Sequence, residues 1–155
     1  LRGSTPLHLA CEAANSECAR LLLDASAAAD AADAHGIVPL HAASAVGDAA
    51  CAALLLERGA DANATLAISG RNELSSQTER TVKSALYLAA EKGHAGVVRA
   101  LLSHGVDLHS AATVSVCGST SRMSPLWAAR RGGHDSVAEL LEAAGAVELA
   151  DTIDE

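Results

Sequence analysis

The tetrapeptide Thr5-Pro6-Leu7-His8 returns as Val38-Pro39-Leu40-His41, then as Ser84-Ala85-Leu86-Tyr87 and Ser124-Pro125-Leu126-Trp127. Its leucines stand 33, 46 and 40 residues apart, which is one period of 33 with about 13 and about 7 residues added in the second and third copies. A second pattern keeps the same phase: Cys18, Ala19, Leu22 and Leu23, then Cys51, Ala52, Leu55 and Leu56, then Val97, Val98, Leu101 and Leu102, then Val137, Ala138, Leu141 and Glu142. Spacing of i, i+1, i+4 and i+5 puts four side chains on one helix face. Thr5, Ser84 and Ser124 can cap a first helix by accepting a hydrogen bond from an orphan backbone N–H. Proline at the next position gives up a donor that is unpaired there anyway. Gly59, Gly105 and Gly145 stand where a second helix must end in a left-handed turn. Ser26 holds that place in the first copy, so the first of these helix ends is expected to fray or run differently.

Each period therefore reads as helix, tight turn, helix and an extended excursion to the next unit. The expected pairs are Pro6 to Ala14 with Ser16 to Asp24, Pro39 to Val46 with Ala49 to Glu57, Ala85 to Lys92 with Ala95 to Ser103, and Pro125 to Arg131 with Asp135 to Ala143. One pair cannot bury both its helices, whereas four stacked pairs make a continuous core. Composition agrees. The 155 residues include 36 alanines, and the only aromatics are Tyr87 and Trp127, too few large side chains for a deep globular core. Alanine has the best helix propensity and lets helix axes approach closely, so a thin helical fold is expected.

A net charge of −8 argues against general attraction to nucleic acid or an anionic membrane. The four cysteines, Cys11, Cys18, Cys51 and Cys117, form neither a CxxC pair nor a dense disulfide framework, which points to a reduced, intracellular setting, cytoplasmic or nuclear. No apolar run is long enough to span a bilayer, and no signal peptide opens the sequence. Leu1 already lies within a motif, so upstream repeats are expected to precede it.

The sequence resembles the ankyrin repeat family over nearly its whole length. The best match is Leu54 to Asn63 following Val38 to Gly47, with Gly93-His94, Gly133-His134 and three Gly-Ala-Asp-like helix endings in phase. The resemblance implies an all-α ankyrin-repeat solenoid of stacked helix-turn-helix pairs with β-hairpin fingers, in one domain spanning 1–155. Its repeats fall at about 3–35, 36–80, 81–120 and 121–150. Glu142 replaces an inward leucine, so no fifth repeat is expected on it, and the acidic tail 148–155 is expected to be a solvated C-terminal cap.

The seven histidines do not read as a metal or catalytic set. His8 and His41 are motif histidines, which the resemblance assigns to hydrogen bonds within and between units, and His94 and His134 fall in the turn between paired helices. His35, His104 and His109 have no ligand spacing and are expected to be exposed. Cys18 and Cys51 sit on the inward face as small hydrophobes, Cys11 stands where alanine is usual, and Cys117 is the thiol with most scope to react, with a plain loop cysteine as the simpler reading. No nucleophile elbow, phosphate loop or zincin helix occurs, and no cofactor is expected. Asn63-Ala64-Thr65 is a glycosylation triplet, which an intracellular setting disfavours. Leu55 with Asp61-Ala62-Asn63 is similar to the ankyrin sequence recognised by an asparaginyl hydroxylase, so Asn63 is a candidate hydroxylation site. The competing reading makes Asn63 the turn-forming residue of the excursion.

The added residues form two candidate fingers, 64–83 and 110–123. The first begins with alternating residues and is expected to turn near Ser69 to Asn72, as a longer hairpin or a disordered loop; the second, with Thr113 to Cys117 before Gly118, is the better hairpin pattern. Residues 1–63 carry 3 basic and 8 acidic side chains, residues 64–131 carry 8 and 4, and residues 132–155 carry 0 and 7. Arg71, Arg80, Lys83 and Arg122 on the fingers, with Lys92, Arg130 and Arg131 at ends of first helices, are expected to line a positive concave surface. Ile37 and Trp127 are the apolar candidates beside them, and Trp127 is also expected to cover the base of the second finger. The expected partner is another protein or peptide of acidic character, bound by a monomer without enzyme activity. A substrate-recruiting segment of a larger enzyme or signalling protein is the alternative. Nucleic acid is disfavoured by the acidic flanks and the lack of a stacking platform.

Overall fold

The computed structural model describes residues 3–71, 78–110, 112–116, 119–148 and 150–154. Eight helices form four antiparallel pairs: α1 (Pro6–Glu12) with α2 (Ser16–Asp24), α3 (Pro39–Val46) with α4 (Ala49–Glu57), α5 (Ala85–Lys92) with α6 (Ala95–Ser103), and α7 (Pro125–Arg131) with α8 (Asp135–Ala143). Helix α1 ends two residues earlier than the sequence predicts; the other seven match. Odd-numbered helices pack in one row, α1 on α3 on α5 on α7, and even-numbered helices in a second row behind them. The motif leucines Leu7, Leu40, Leu86 and Leu126 are buried in the first row, and Leu55, Leu101 and Leu141 in the second.

The end of the stack explains a departure from expectation. Cys18 is exposed, whereas Cys51, Val97 and Val137 at the same repeat position are buried. That position faces the preceding helix pair, and α2 has none before it among the described residues. Cys18, Leu21 and Leu22 instead share an open apolar face with Pro6, Leu9 and Ala13.

All four second helices close the same way. Amides of Ala27, Ala60, Val106 and Ala146 reach back to the carbonyls of Leu22, Leu55, Leu101 and Leu141. The residue between must be left-handed, and Ser26 takes φ +66° in the place held by Gly59, Gly105 and Gly145. The expected fraying of the first copy is therefore overturned: the backbone keeps the turn, because it satisfies two orphan carbonyls, and the serine carries the strain.

The excursions hold the main correction to an all-α fold. Strands β1 (Thr65–Arg71) and β2 (Thr78–Ser84) make the first long finger, and β3 (Ala112–Val116) and β4 (Ser119–Met123) make the second. Seven pairs run from Thr65 opposite Ser84 to Arg71 opposite Thr78, so Ser69 to Arg71 are strand rather than turn, and the connection 72–77 lies outside the described residues. The fingers do not stand apart. Strand β2 pairs with β3 through Arg80–Ser115, Thr81–Val114 and Val82–Thr113. A fifth strand, β5 (Ala150–Asp154), pairs with β4 from Ser119–Asp154 to Met123–Ala150, which gives one antiparallel sheet in the order β1-β2-β3-β4-β5. Where a solvated C-terminal cap was expected, residues 150–154 form an edge strand of the sheet. Satisfying the edge amides of β4 outweighs leaving a short polar tail in water.

Candidate functional site

The site begins with a change of side chain at one repeat position. In the first two repeats this position holds His8 and His41. His8 accepts the Thr5 N–H at Nδ1 (3.1 Å), which leaves Nε2 to donate to the Ile37 carbonyl of the next unit (2.8 Å). His41 does the same between the Val38 N–H (3.2 Å) and the Ala64 carbonyl (3.0 Å). Thr5 therefore does not cap through its hydroxyl as expected: its Oγ1 lies 2.9 Å from the same His8 Nδ1. Burial is the leading cause that holds the His41 pKa below the usual histidine range.

Repeats three and four put Tyr87 and Trp127 at that position. The cap reverses: the Ser84 and Ser124 hydroxyls each accept the N–H of the aromatic residue, both at 3.1 Å. Freed from capping, the two rings pack with Ala112, Ala128 and Met123 in a second small apolar cluster that joins the sheet to α5 and α7. Trp127 thereby covers the finger base, as the sequence suggested. Between sheet and helices a groove of about 530 Å³ remains, lined by Thr81, Lys83, Val114 and Met123 from the strands and by Tyr87, Glu91, Trp127 and Arg131 from the helices. Lys83 Nζ lies 2.7 and 2.9 Å from the Glu91 carboxylate oxygens and 5.3 Å from the Tyr87 ring centre. The Arg131 guanidinium sits 5.0 Å over the Trp127 ring. Burial raises the Tyr87 pKa first, Glu91 adds to the rise, and Arg131 opposes it.

Strand alternation divides the expected basic surface. Lys83 and Thr81 are on the groove face of β2, while the register positions of Arg71, Arg80 and Arg122 fall together on the opposite face, with Arg122 exposed. The side chains of Arg71 and Arg80 lie outside the described part of the structure. Arg130 and Arg131 also separate: Arg130 turns to the C-terminal end and pairs with Glu142 (2.7 Å) and Glu148. Lys92 is exposed at the end of α5, and Ile37 is half-buried in the short excursion between α2 and α3, where its N–H donates to Asp33 Oδ1 at 2.9 Å. Asn63 bridges two units: its Oδ1 accepts the Asp107 N–H at 2.7 Å, as Asp30 accepts that of Asp61. The bond ties one excursion to the next, whereas in the local turn Asp61 Oδ1 accepts the Asn63 N–H at 2.9 Å.

Among the described residues no three His, Cys, Asp or Glu side chains converge as a metal-binding group, and no helix is long and apolar enough to cross a membrane. Cys11 and Cys51 are buried, and desolvation is the leading cause that raises both pKa values, that of Cys11 to about 11. Cys117 lies outside the described residues.

Sequence reasoning placed the Ser84 and Ser124 caps but missed the caps made by His8 and His41, the joined sheet and the pairing of Gly47 and Gly93 with a histidine of the following repeat. A Cβ on Gly47 would lie 2.4 Å from His94 Nδ1, and one on Gly93 would lie 2.5 Å from His134 Nδ1. Those rings donate from Nε2 to the carbonyls of Ala45 (3.2 Å) and Glu91 (3.1 Å) one repeat back. Asp48 replaces the histidine where Ala14 replaces the glycine, a correlation visible in the sequence.

No curated relative matches the chain significantly. A family model for ankyrin repeats in three copies matches residues 1–66 and again 65–151. The repeated Schellman turns, the two helix rows and the inter-unit histidine bonds agree with that match, and the chain belongs to the ankyrin repeat family.

Proposed function

We propose that this chain is a non-enzymatic interaction module that binds another protein, of acidic character, through its finger sheet and the adjoining helix ends, as a monomer inside the cell. Ankyrin repeats generally bind other proteins. The observation that carries the reading for this member is the sheet itself. Two lengthened fingers pair into a continuous surface held over α5 and α7 by Tyr87 and Trp127, which turns added length into an ordered wall. Ordered loops on one face of a rigid stack are where repeat proteins meet partners. Basic side chains are concentrated in residues 64–131, 8 against 4 acidic, with Lys83 on the groove face of that wall and Arg122 on the other. Exposed opposite charges raise association rates and are screened over about 8 Å at physiological ionic strength.

The test is affinity capture from cell extract, identification of the bound protein, and titration of that protein against variants. Charge reversal at Arg122 and Arg131 together is expected to weaken binding at least tenfold and flatten its salt dependence. Retention of wild-type affinity and salt dependence by this variant would move the interface elsewhere.

A further inference from the structure

The groove between the sheet and helices α5 and α7 has the chemistry of a defined subsite. Both aromatic residues of the chain lie in it, although they are 40 positions apart in sequence. Its apolar surface comes from Trp127, Met123 and Val114. Its charges do not cancel. Lys83 is neutralised by Glu91, whereas Arg131 is stacked on Trp127 and, among the described residues, no carboxylate pairs with it. A guanidinium has two N–H groups that can donate in parallel, the geometry that fits a carboxylate, and at Arg131 no carboxylate among the described residues takes them. Neighbouring Arg130, by contrast, already holds Glu142 and Glu148. The groove volume of about 530 Å³ is that of a small-ligand pocket, room for one or two side chains and not for a folded element.

Resting on the proposed binding role, we infer that this groove is a recognition subsite for an extended peptide segment of the partner in which a carboxylate side chain docks on Arg131 and an apolar side chain two positions away packs on Trp127 and Met123. Side chains at i and i+2 of an extended chain point the same way, about 7 Å apart, and so enter one groove together. The Lys83–Glu91 pair sets the charge of the other wall. A cationic side chain is disfavoured because Lys83 and Arg131 already stand over the two rings.

Trp127 is the single tryptophan, so its fluorescence and its indole N–H resonance report on this groove alone. The probe is an acetylated, amidated pentapeptide, Gly-Asp-Ala-Leu-Gly, titrated into the full chain beside versions with Asn or Lys in place of Asp. Saturable change in the Trp127 signals is expected with the Asp peptide, with affinity at least tenfold above the Asn version. Arg131→Gln should remove that preference. Glu91→Gln, which releases Lys83, should tighten the Asp peptide severalfold, a gain that loss of structure cannot mimic. Absence of saturable change with the Asp peptide overturns the inference, as does a preference for the Lys version, which would make the groove a cation site formed by Glu91 and the rings. If a captured partner binds Arg131→Gln and wild type equally, the subsite assignment falls while the interaction role stands.

Discussion

At the scale of the residue, the left-handed positions separate backbone strain from steric contact. Ser26 has the strain and is exposed, and Gly59, its counterpart one repeat on, has open space where a Cβ would stand. Ser26→Gly should stabilise the fold by about 0.5–1 kcal/mol, the relief of the left-handed penalty less the added entropy of glycine in the unfolded chain. Gly47→Ala meets both penalties, φ +90° and the His94 ring at 2.4 Å, and should cost at least about 2 kcal/mol. Chemical denaturation of the two variants measures both. His41 adds a pH dependence. Its folded pKa lies below the unfolded value, so its contribution is present above pH about 6.5 and is lost as pH falls through the folded pKa, when the unfolded chain takes up the proton first. The melting temperature of wild type should accordingly drop more steeply than that of His41→Gln between about pH 6.5 and 5. Parallel melts with equal slopes would remove His41 from the account.

At the scale of the element, helices were legible and strands only partly so. Capping serines, N1 prolines and C′ glycines act within a few residues, so seven of the eight predicted helices agree with the structure in extent. A strand needs a partner, and the best partners here are distant in sequence. Thr113 to Val116 showed the alternation of a strand, but nothing local to 148–155 marked it for pairing with β4. Strand β5 should be separable from the stack. Thr152→Pro removes a backbone donor from its middle, so hydrogen exchange in β4 should accelerate while overall stability changes by less than about 0.5 kcal/mol. Loss of the whole helical transition in this variant would show that the tail is part of the core.

At the scale of the whole molecule, stability resides in contacts between neighbouring pairs, since each repeat touches only its neighbours and the sheet. Leu55 is fully buried in the second helix row, where α4 meets α2 and α6. Leu55→Ala should cost about 2–5 kcal/mol by cavity formation, read from the denaturation midpoint, and in an array of four pairs that is a large share of the total. An unchanged midpoint would mean that the face bearing Leu55 is not the inward one.

The sequence by itself determined the repeat, the phase and ends of the helices, the inward leucines and the family, because each is written in side chains spaced within one 33-residue unit. Its basic residues were visible too, but their grouping was not. Period-two alternation sends Lys83 to the groove and puts the register positions of Arg80 and Arg122 on the opposite face, and the acidic C-terminal end claims Arg130 while Arg131 stacks on Trp127. Only the tertiary structure decided this. Strand register, tail pairing and ion-pair choice depend on which residues from different repeats come within a few ångströms of one another, and a one-residue shift in register would exchange the two faces of the sheet.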